Sequence, residues 1–281
     1  MQPREPSRTA LAAARHRAAH QVLEGGRIFT DSLALRILGE TAEEVARDAE
    51  QHASRRPMRI FIAARSRYAE ASLAAAVGCG ARQLVVLGAG LDTYAYRGAC
   101  RERLRIFEAD HPATQAWKRR RLADAGIPLP CELTFAPIDF EHETLAEGLK
   151  AAGFDLNVPS FFTWLGVVPY LTEQAIWSTL TFIAKLPGGA QVVFDYADPI
   201  ETLTAERRER HERRAARVAE LGEAWLTYFE AATLHPKLRG AGFAEIEDLG
   251  PRQIATRYFP SRAATAPERG GHVLRAAVNR G

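Results

Sequence analysis

Residues 84–93 read Leu84-Val85-Val86-Leu87-Gly88-Ala89-Gly90-Leu91-Asp92-Thr93. The apolar run suits a strand. Glycines directly behind it suit a turn that a ligand approaches without meeting a Cβ. Phe107-Glu108-Ala109-Asp110-His111-Pro112 then offers two acids, Glu108 and Asp110, about 20 residues past the turn, where a nucleotide's ribose hydroxyls are bound in open α/β sheets. A carboxylate presents two acceptor oxygens side by side, a match for a vicinal diol. A dinucleotide fingerprint asks for a third glycine, which brings the following helix close to a pyrophosphate. Thr93 stands there instead, so a nucleoside without a pyrophosphate fits better. The plainer alternatives are a strand-to-helix turn with no ligand, and an N-cap role for Asp110 in the helix that Pro112 begins.

Other chemistry-bearing residues are less organised. Glu141-His142-Glu143 has metal-ligand atoms, but neighbours on a helix point apart and no second cluster accompanies them, so no metal site is expected. His16 and His20 stand four apart on a helical stretch; they could line an acceptor pocket as a base, although a surface pair is the commoner arrangement. No Gly-x-Ser-x-Gly elbow and no His-Glu-x-x-His motif occurs.

The elements that must position these residues fall into two styles. The first third is helical: Ser7 or Thr9 can cap an Ala-rich segment that ends at Gly25-Gly26, Thr41 and Glu44 form a capping box, and Pro57 opens a third helix whose apolar positions recur until Gly78 and Gly80. From Leu84 strands alternate with helices. Strands are predicted at 84–87, 104–107, 133–135, 161–164 and 192–194, with helices at 111–125, 141–152 and 172–186 between them. This is the pattern of a parallel sheet with crossovers on both faces. Residues 201–223 are highly charged, with Glu206/Arg210 and Glu209/Arg213 spaced as on a solvated helix face, and 244–247 and 272–278 read as two last strands.

Whole-chain properties narrow the class. With 281 residues, 47% hydrophobic and 25% charged, the chain is expected to form one or two globular domains. A formal charge of +3 gives no reason to expect a nucleic-acid partner. Cys79, Cys100 and Cys131 are too few and too scattered for a disulfide framework or a zinc cage, and no stretch approaches the roughly 18 apolar residues of a membrane span. A cytoplasmic protein with no export signal and no membrane association is expected.

Five motifs in order, Arg65-Ser66-Arg67-Tyr68, the glycine turn, Phe107 to Pro112, Ile138-Asp139-Phe140 and Gly166-Val167-Val168-Pro169-Tyr170-Leu171, give the chain a close resemblance to the leucine carboxyl methyltransferase-like family. The likeness runs from Arg8 to Pro199 and continues more weakly beyond. It implies S-adenosylmethionine as cofactor: Arg65 would hold the methionine carboxylate, Gly88 and Gly90 would lie under the cofactor, Asp110 would take the ribose, and Asp139 with Phe140 would flank the adenine. Arg17 would match a basic residue of an N-terminal lid. One departure is Leu165, where many relatives carry an acid before the glycine of the fourth-strand motif.

The resulting expectation is an α/β protein with a Rossmann-like, seven-stranded, mostly parallel sheet. A helical cap over residues 1–77 precedes a methyltransferase core over 78–281, with a helical insertion at about 201–235. The expected activity is O-methyl transfer to a carboxylate or hydroxyl of a small molecule or peptide. A carboxylate needs no general base; a hydroxyl would, and His16, His20 or His235 are the candidates. A nucleotide-dependent oxidoreductase and a catalytically silent cofactor-binding module are the competing readings.

Overall fold

In the computed structural model, residues 7–139, 142–219 and 224–278 are described. The chain forms two compact units, Met1–Asp155 and Leu156–Gly281. The first contains α1 (Arg8–Glu24), α2 (Ala34–Leu38), α3 (Ala42–Gln51), α4 (Arg56–Gly78), β1 (Gln83–Leu87), α5 (Tyr94–Arg97), β2 (Arg105–Asp110), α6 (Pro112–Asp124), β3 (Leu133–Pro137) and α7 (Leu145–Ala151). The second contains β4 (Ser160–Trp164), α8 (Glu173–Ala184), β5 (Ala190–Ala197), α9 (Ala205–Ala219), α10 (Ala231–Ala241), β6 (Phe243–Leu249), α11 (Pro251–Tyr258) and β7 (Gly271–Val278). The seven strands form one mostly parallel, Rossmann-like sheet in the order β3-β2-β1-β4-β5-β7-β6.

In the first unit, β1 runs parallel to β2 with Leu87 opposite Ala109, and β2 parallel to β3 with Asp110 opposite Pro137. The three strands therefore finish at one edge, where the segments after Leu87, Ala109 and Pro137 emerge together. In the second unit β4 and β5 are parallel, while β7 is antiparallel to both β5 and β6.

Local signals set the helix ends. Ser7 Oγ accepts from Ala10 N at 3.1 Å and starts α1; Gly25 and Gly26, both with positive φ, end it. Thr41 and Glu44 form the expected capping box on α3, and Pro57 lies in the first turn of α4. The helix predicted at 141–152 begins later, because Thr144 and Glu147 form a second capping box that places the start at Leu145.

The helical segment before β1 has its own core. Ala14, Ala18 and Ala19 of α1 pack with Leu33, Ile37, Leu38 and Val45, and this cluster also takes in Leu91 of the glycine turn and Leu122 of α6. Ala14 and Ala18 are fully buried. Small side chains let α1 lie close to the turn, and enlarging either would cost about 1–3 kcal/mol in overpacking.

Candidate functional site

The turn after β1 is built by backbone geometry and one carboxylate. Gly88 and Gly90 have φ of +61° and +44°, a region where an L side chain is strained. Gly88 N donates to Ala109 O at 2.8 Å, which ties the turn to β2. Asp110, the last residue of β2, accepts from Gly90 N through Oδ2 at 2.6 Å and from His111 N through Oδ1 at 2.7 Å. Burial pushes its carboxyl pKa up, against the pull of these two amides. Each oxygen has two lone pairs and uses one on an amide. One acceptor position per oxygen is left, fixed in direction, which is what a vicinal diol requires. The residues present thus fit the ribose of a nucleoside cofactor. The N-cap role falls to His111, whose Nδ1 accepts from Ala113 N at 3.2 Å; Asp110 is thereby released from the capping alternative.

The remaining predicted residues are placed as follows. Arg65 is buried on α4, its guanidinium 5.8 Å from the centre of the Phe61 ring. Asp139 follows β3 at the same strand edge, with Oδ2 3.9 Å from His111 Nε2. Phe140 lies outside the described residues. Glu108 faces inward instead: it is fully buried, with Oε2 2.7 Å from Lys118 Nζ and 3.3 Å from the Tyr96 hydroxyl. At that distance Glu108 and Lys118 form an ion pair, although Lys118 Nζ is not aimed as a directed hydrogen bond. Of the two acids offered for the ribose, only Asp110 meets the turn.

A match to the family described as Leucine carboxyl methyltransferase covers residues 10–184. Over 93% of this chain and 94% of its partner, the chain is 33% identical to YktD of Bacillus subtilis (strain 168), named as an S-adenosyl-L-methionine-dependent methyltransferase. The chain belongs to the leucine carboxyl methyltransferase family. It is an S-adenosylmethionine-dependent methyltransferase. A second similarly named protein, from Mycolicibacterium paratuberculosis, is 30% identical over 57% of this chain and 50% of its own. Among solved structures, a possible exported protein from Bordetella parapertussis aligns with a TM-score of 0.49 at 12% identity, covering 97% of this chain and 96% of that one. The N-terminal domain of EvdMO1 with S-adenosylhomocysteine bound aligns with a TM-score of 0.46 at 14% identity, covering 75% and 79%.

This methyltransferase also contains a buried charge network that its sequence does not announce. Arg17 donates from Nε to Asp31 Oδ2 at 3.1 Å and from Nη2 to Leu91 O at 2.6 Å. Asp31 further accepts from Leu33 N, from the Thr93 hydroxyl at 2.8 Å and from Arg97 Nε at 3.0 Å. Arg97 completes the set with a bidentate contact to Glu70 at 3.2 and 2.6 Å. The Asp31 side chain is wholly inaccessible. Burial alone would raise its pKa, but Arg17 and Arg97 hold it below the ordinary carboxylate range; for Glu70 burial outweighs the pull of Arg97 and holds the carboxyl above its own range. Asp31, Glu70 and Arg97 lie far apart in the chain and belong to no motif. The one available hint was Thr93, whose hydroxyl occupies the position of the missing glycine.

Two more readings change. His20 is fully buried: its Nε2 faces the amides of Ile28 and Phe29 at 3.3 and 3.4 Å and its Nδ1 faces Glu24. It is therefore neither a surface histidine nor a base. At the fourth-strand motif, where Leu165 precedes Gly166, a carboxylate does meet the turn, but it comes from β5: Asp195 Oδ1 accepts from Gly166 N at 2.5 Å. Among the described residues no helix is long and apolar enough to cross a membrane, and no group of three or more acidic, His or Cys side chains could hold a metal ion.

Proposed function

We propose that this enzyme is an O-methyltransferase acting on a carboxylate or hydroxyl of a small molecule or peptide in the cytoplasm, without nucleic acid or membrane as partner. The observation that carries the reading is the match of residues 10–184 to a family described by carboxyl methylation. When bound, S-adenosylmethionine supplies an electrophilic methyl group on a sulfonium. The chain's part is to hold and orient. Asp110 takes the ribose hydroxyls on the two acceptor positions left by the Gly90 and His111 amides. Arg65 offers a planar fork of donors to the methionine carboxylate. Gly88 and Gly90 give the cofactor a side-chain-free turn, with Asp139 beside the adenine and Arg17 bracing α1.

Alignment of this kind accounts for roughly 7–11 kcal/mol of barrier lowering in well-oriented reactions. A carboxylate acceptor is ionised at neutral pH, so no residue need remove a proton. The deciding experiment is product chemistry: the enzyme is incubated with methyl-labelled cofactor and a panel of carboxylic, phenolic and amine acceptors. A product that releases labelled methanol in mild alkali is a carboxyl ester. An alkali-stable ether identifies a hydroxyl acceptor, and label found only on nitrogen overturns O-methylation.

A further inference from the structure

The glycine turn is held from above as well as from below. Asp110 and Ala109 O hold the Gly90 and Gly88 amides from the β2 side, but Leu91 and Thr93 are fixed by residues outside the sheet: Arg17 Nη2 donates to Leu91 O, and Thr93 donates to Asp31. Besides the nearby Leu33 amide, Asp31 collects side-chain donors from three separate places, Arg17 on α1, Thr93 behind the turn and Arg97 on α5. Helix α1 also touches the turn directly, since a Cβ on Gly90 would stand 2.8 Å from the Ala10 Cβ. An inaccessible carboxylate between two guanidiniums permits little latitude. Moving α1 away from the turn would take Arg17 from Asp31 and from Leu91 O and leave the buried carboxylate with Arg97 in place of two guanidiniums, which is unfavourable.

We infer that Asp31 is a positioning residue for cofactor binding: through Thr93 and Arg17 it sets the conformation of the Gly88–Thr93 turn and fastens α1 over it. Ordering of α1 and binding of the cofactor are then one coupled equilibrium. The Thr93 hydroxyl is the link between them. It donates to Asp31 Oδ2 at 2.8 Å and accepts from Arg97 Nε at 2.9 Å, and a glycine in its place could do neither. The inference rests on the reading of this turn as the cofactor site. It assigns no chemical step to Asp31, Thr93 or Arg97.

The test uses the full chain and S-adenosylhomocysteine as the probe. Thr93→Val removes the hydroxyl at constant shape, and Thr93→Ser retains it. Calorimetry at a temperature where circular dichroism shows all proteins folded should give about tenfold weaker binding for Thr93→Val, the scale of one hydrogen bond to a charged group. Thr93→Ser should bind within about twofold of the wild type, a spread the same scale allows. Hydrogen exchange gives a second readout: the probe should slow exchange in α1 and in the turn together in the wild type, and in the turn alone in Thr93→Val. A merely structural role would lower the melting temperature of Thr93→Val and leave its affinity and its α1 protection at wild-type values; that result overturns the inference. Asp31→Asn supplies a second variant: retained wild-type affinity in its folded form also overturns it. Failure of the wild type itself to bind the probe would overturn the cofactor reading, and the positioning role with it.

Discussion

Asp110 Oδ2 lies 2.6 Å from the Gly90 amide nitrogen, so the acid at the end of β2 and the glycine turn after β1 form one hydrogen-bonded piece. The acid shapes the turn, and the turn aims the acid. Changes on either side should be felt on the other.

Gly90→Val should abolish S-adenosylhomocysteine binding while circular dichroism shows a folded protein. The φ of +44° adds about 1–2 kcal/mol of strain to any L residue, and the new Cβ would overlap Ala10 at 2.8 Å. Helix α1 must shift, or the turn must. Wild-type calorimetric affinity in this variant would remove the turn from the cofactor site.

Asp110→Asn and Arg65→Ala should act on opposite ends of one ligand. Each should weaken S-adenosylhomocysteine by roughly 1.5–3 kcal/mol, the value of a charge-assisted contact. Against 5'-methylthioadenosine, which lacks the amino-acid tail, the Arg65 change should matter much less and the Asp110 change as much as before. Equal losses of Arg65→Ala against both ligands would place that arginine elsewhere.

Glu108 should make stability fall with rising pH. Burial pushes its carboxyl up to about 7 against the pull of Lys118, above an unfolded value of 4.5. A raised folded pKa means that the folded protein binds the proton more tightly, so the contribution is complete below the unfolded value and is lost as pH rises through about 7. At about 1.4 kcal/mol per pKa unit the span is at most about 3.5 kcal/mol. Urea unfolding at pH 5 and pH 8 should show this slope in the wild type and lose it in Glu108→Gln; an identical slope in both proteins would contradict the assignment.

His272 works over a different window. Its Nε2 is 3.1 Å from Asp198 Oδ2 and its Nδ1 3.0 Å from Asp248 Oδ1. Tyr196 and His235 also bond Asp248, at 2.5 and 2.8 Å, and Arg269 bonds Asp198 at 3.1 Å. Burial would lower the His272 pKa, but the two carboxylates outweigh it and raise the value. The stabilisation is therefore full below the ordinary histidine value and is lost as pH rises through the raised one. Asp248 is held low, burial being outweighed chiefly by His272, so its own contribution disappears only in acid as pH falls through that lowered value. His272→Gln should destabilise the protein by about 3 kcal/mol at pH 6, with the difference shrinking in alkaline buffer. A constant difference across that range would show that His272 is neutral.

The sheet was legible because buried strands advertise themselves. All five parallel strands fall where their apolar runs are, and β7, Gly271–Val278, begins one residue before its predicted start. Helices α2 and α11 were missed, and the helical insertion expected at about 201–235 reaches only the start of α10, with no helix over 224–230; the reasons are separate. The first is five residues long, too short for a periodic signal; α10 carries Pro236 inside it; α11 starts at Pro251 in a stretch whose proline and arginine content reads as a loop. In the candidate site, Gly90 and Asp110, which the structure joins by a hydrogen bond, stand out in the sequence because close backbone approach and diol recognition dictate residue type. Asp31, Arg97 and Asp195 could not, since a charged side chain whose partners come from distant elements looks like any other until the chain is folded.

The set of Arg17, Asp31, Glu70 and Arg97 carries two positive and two negative charges and brings α1, α4 and α5 together with Asp31 in the segment after α1. Losing one member strands its partner, a cost of about 3–5 kcal/mol, whereas exchanging a whole ion pair for well-packed apolar residues can be nearly neutral. Over evolutionary descent these positions should therefore change together or not at all. Lineages that abandon Asp31 should also have abandoned Arg17 or Arg97, leaving paired replacements as the record of how the network was dismantled.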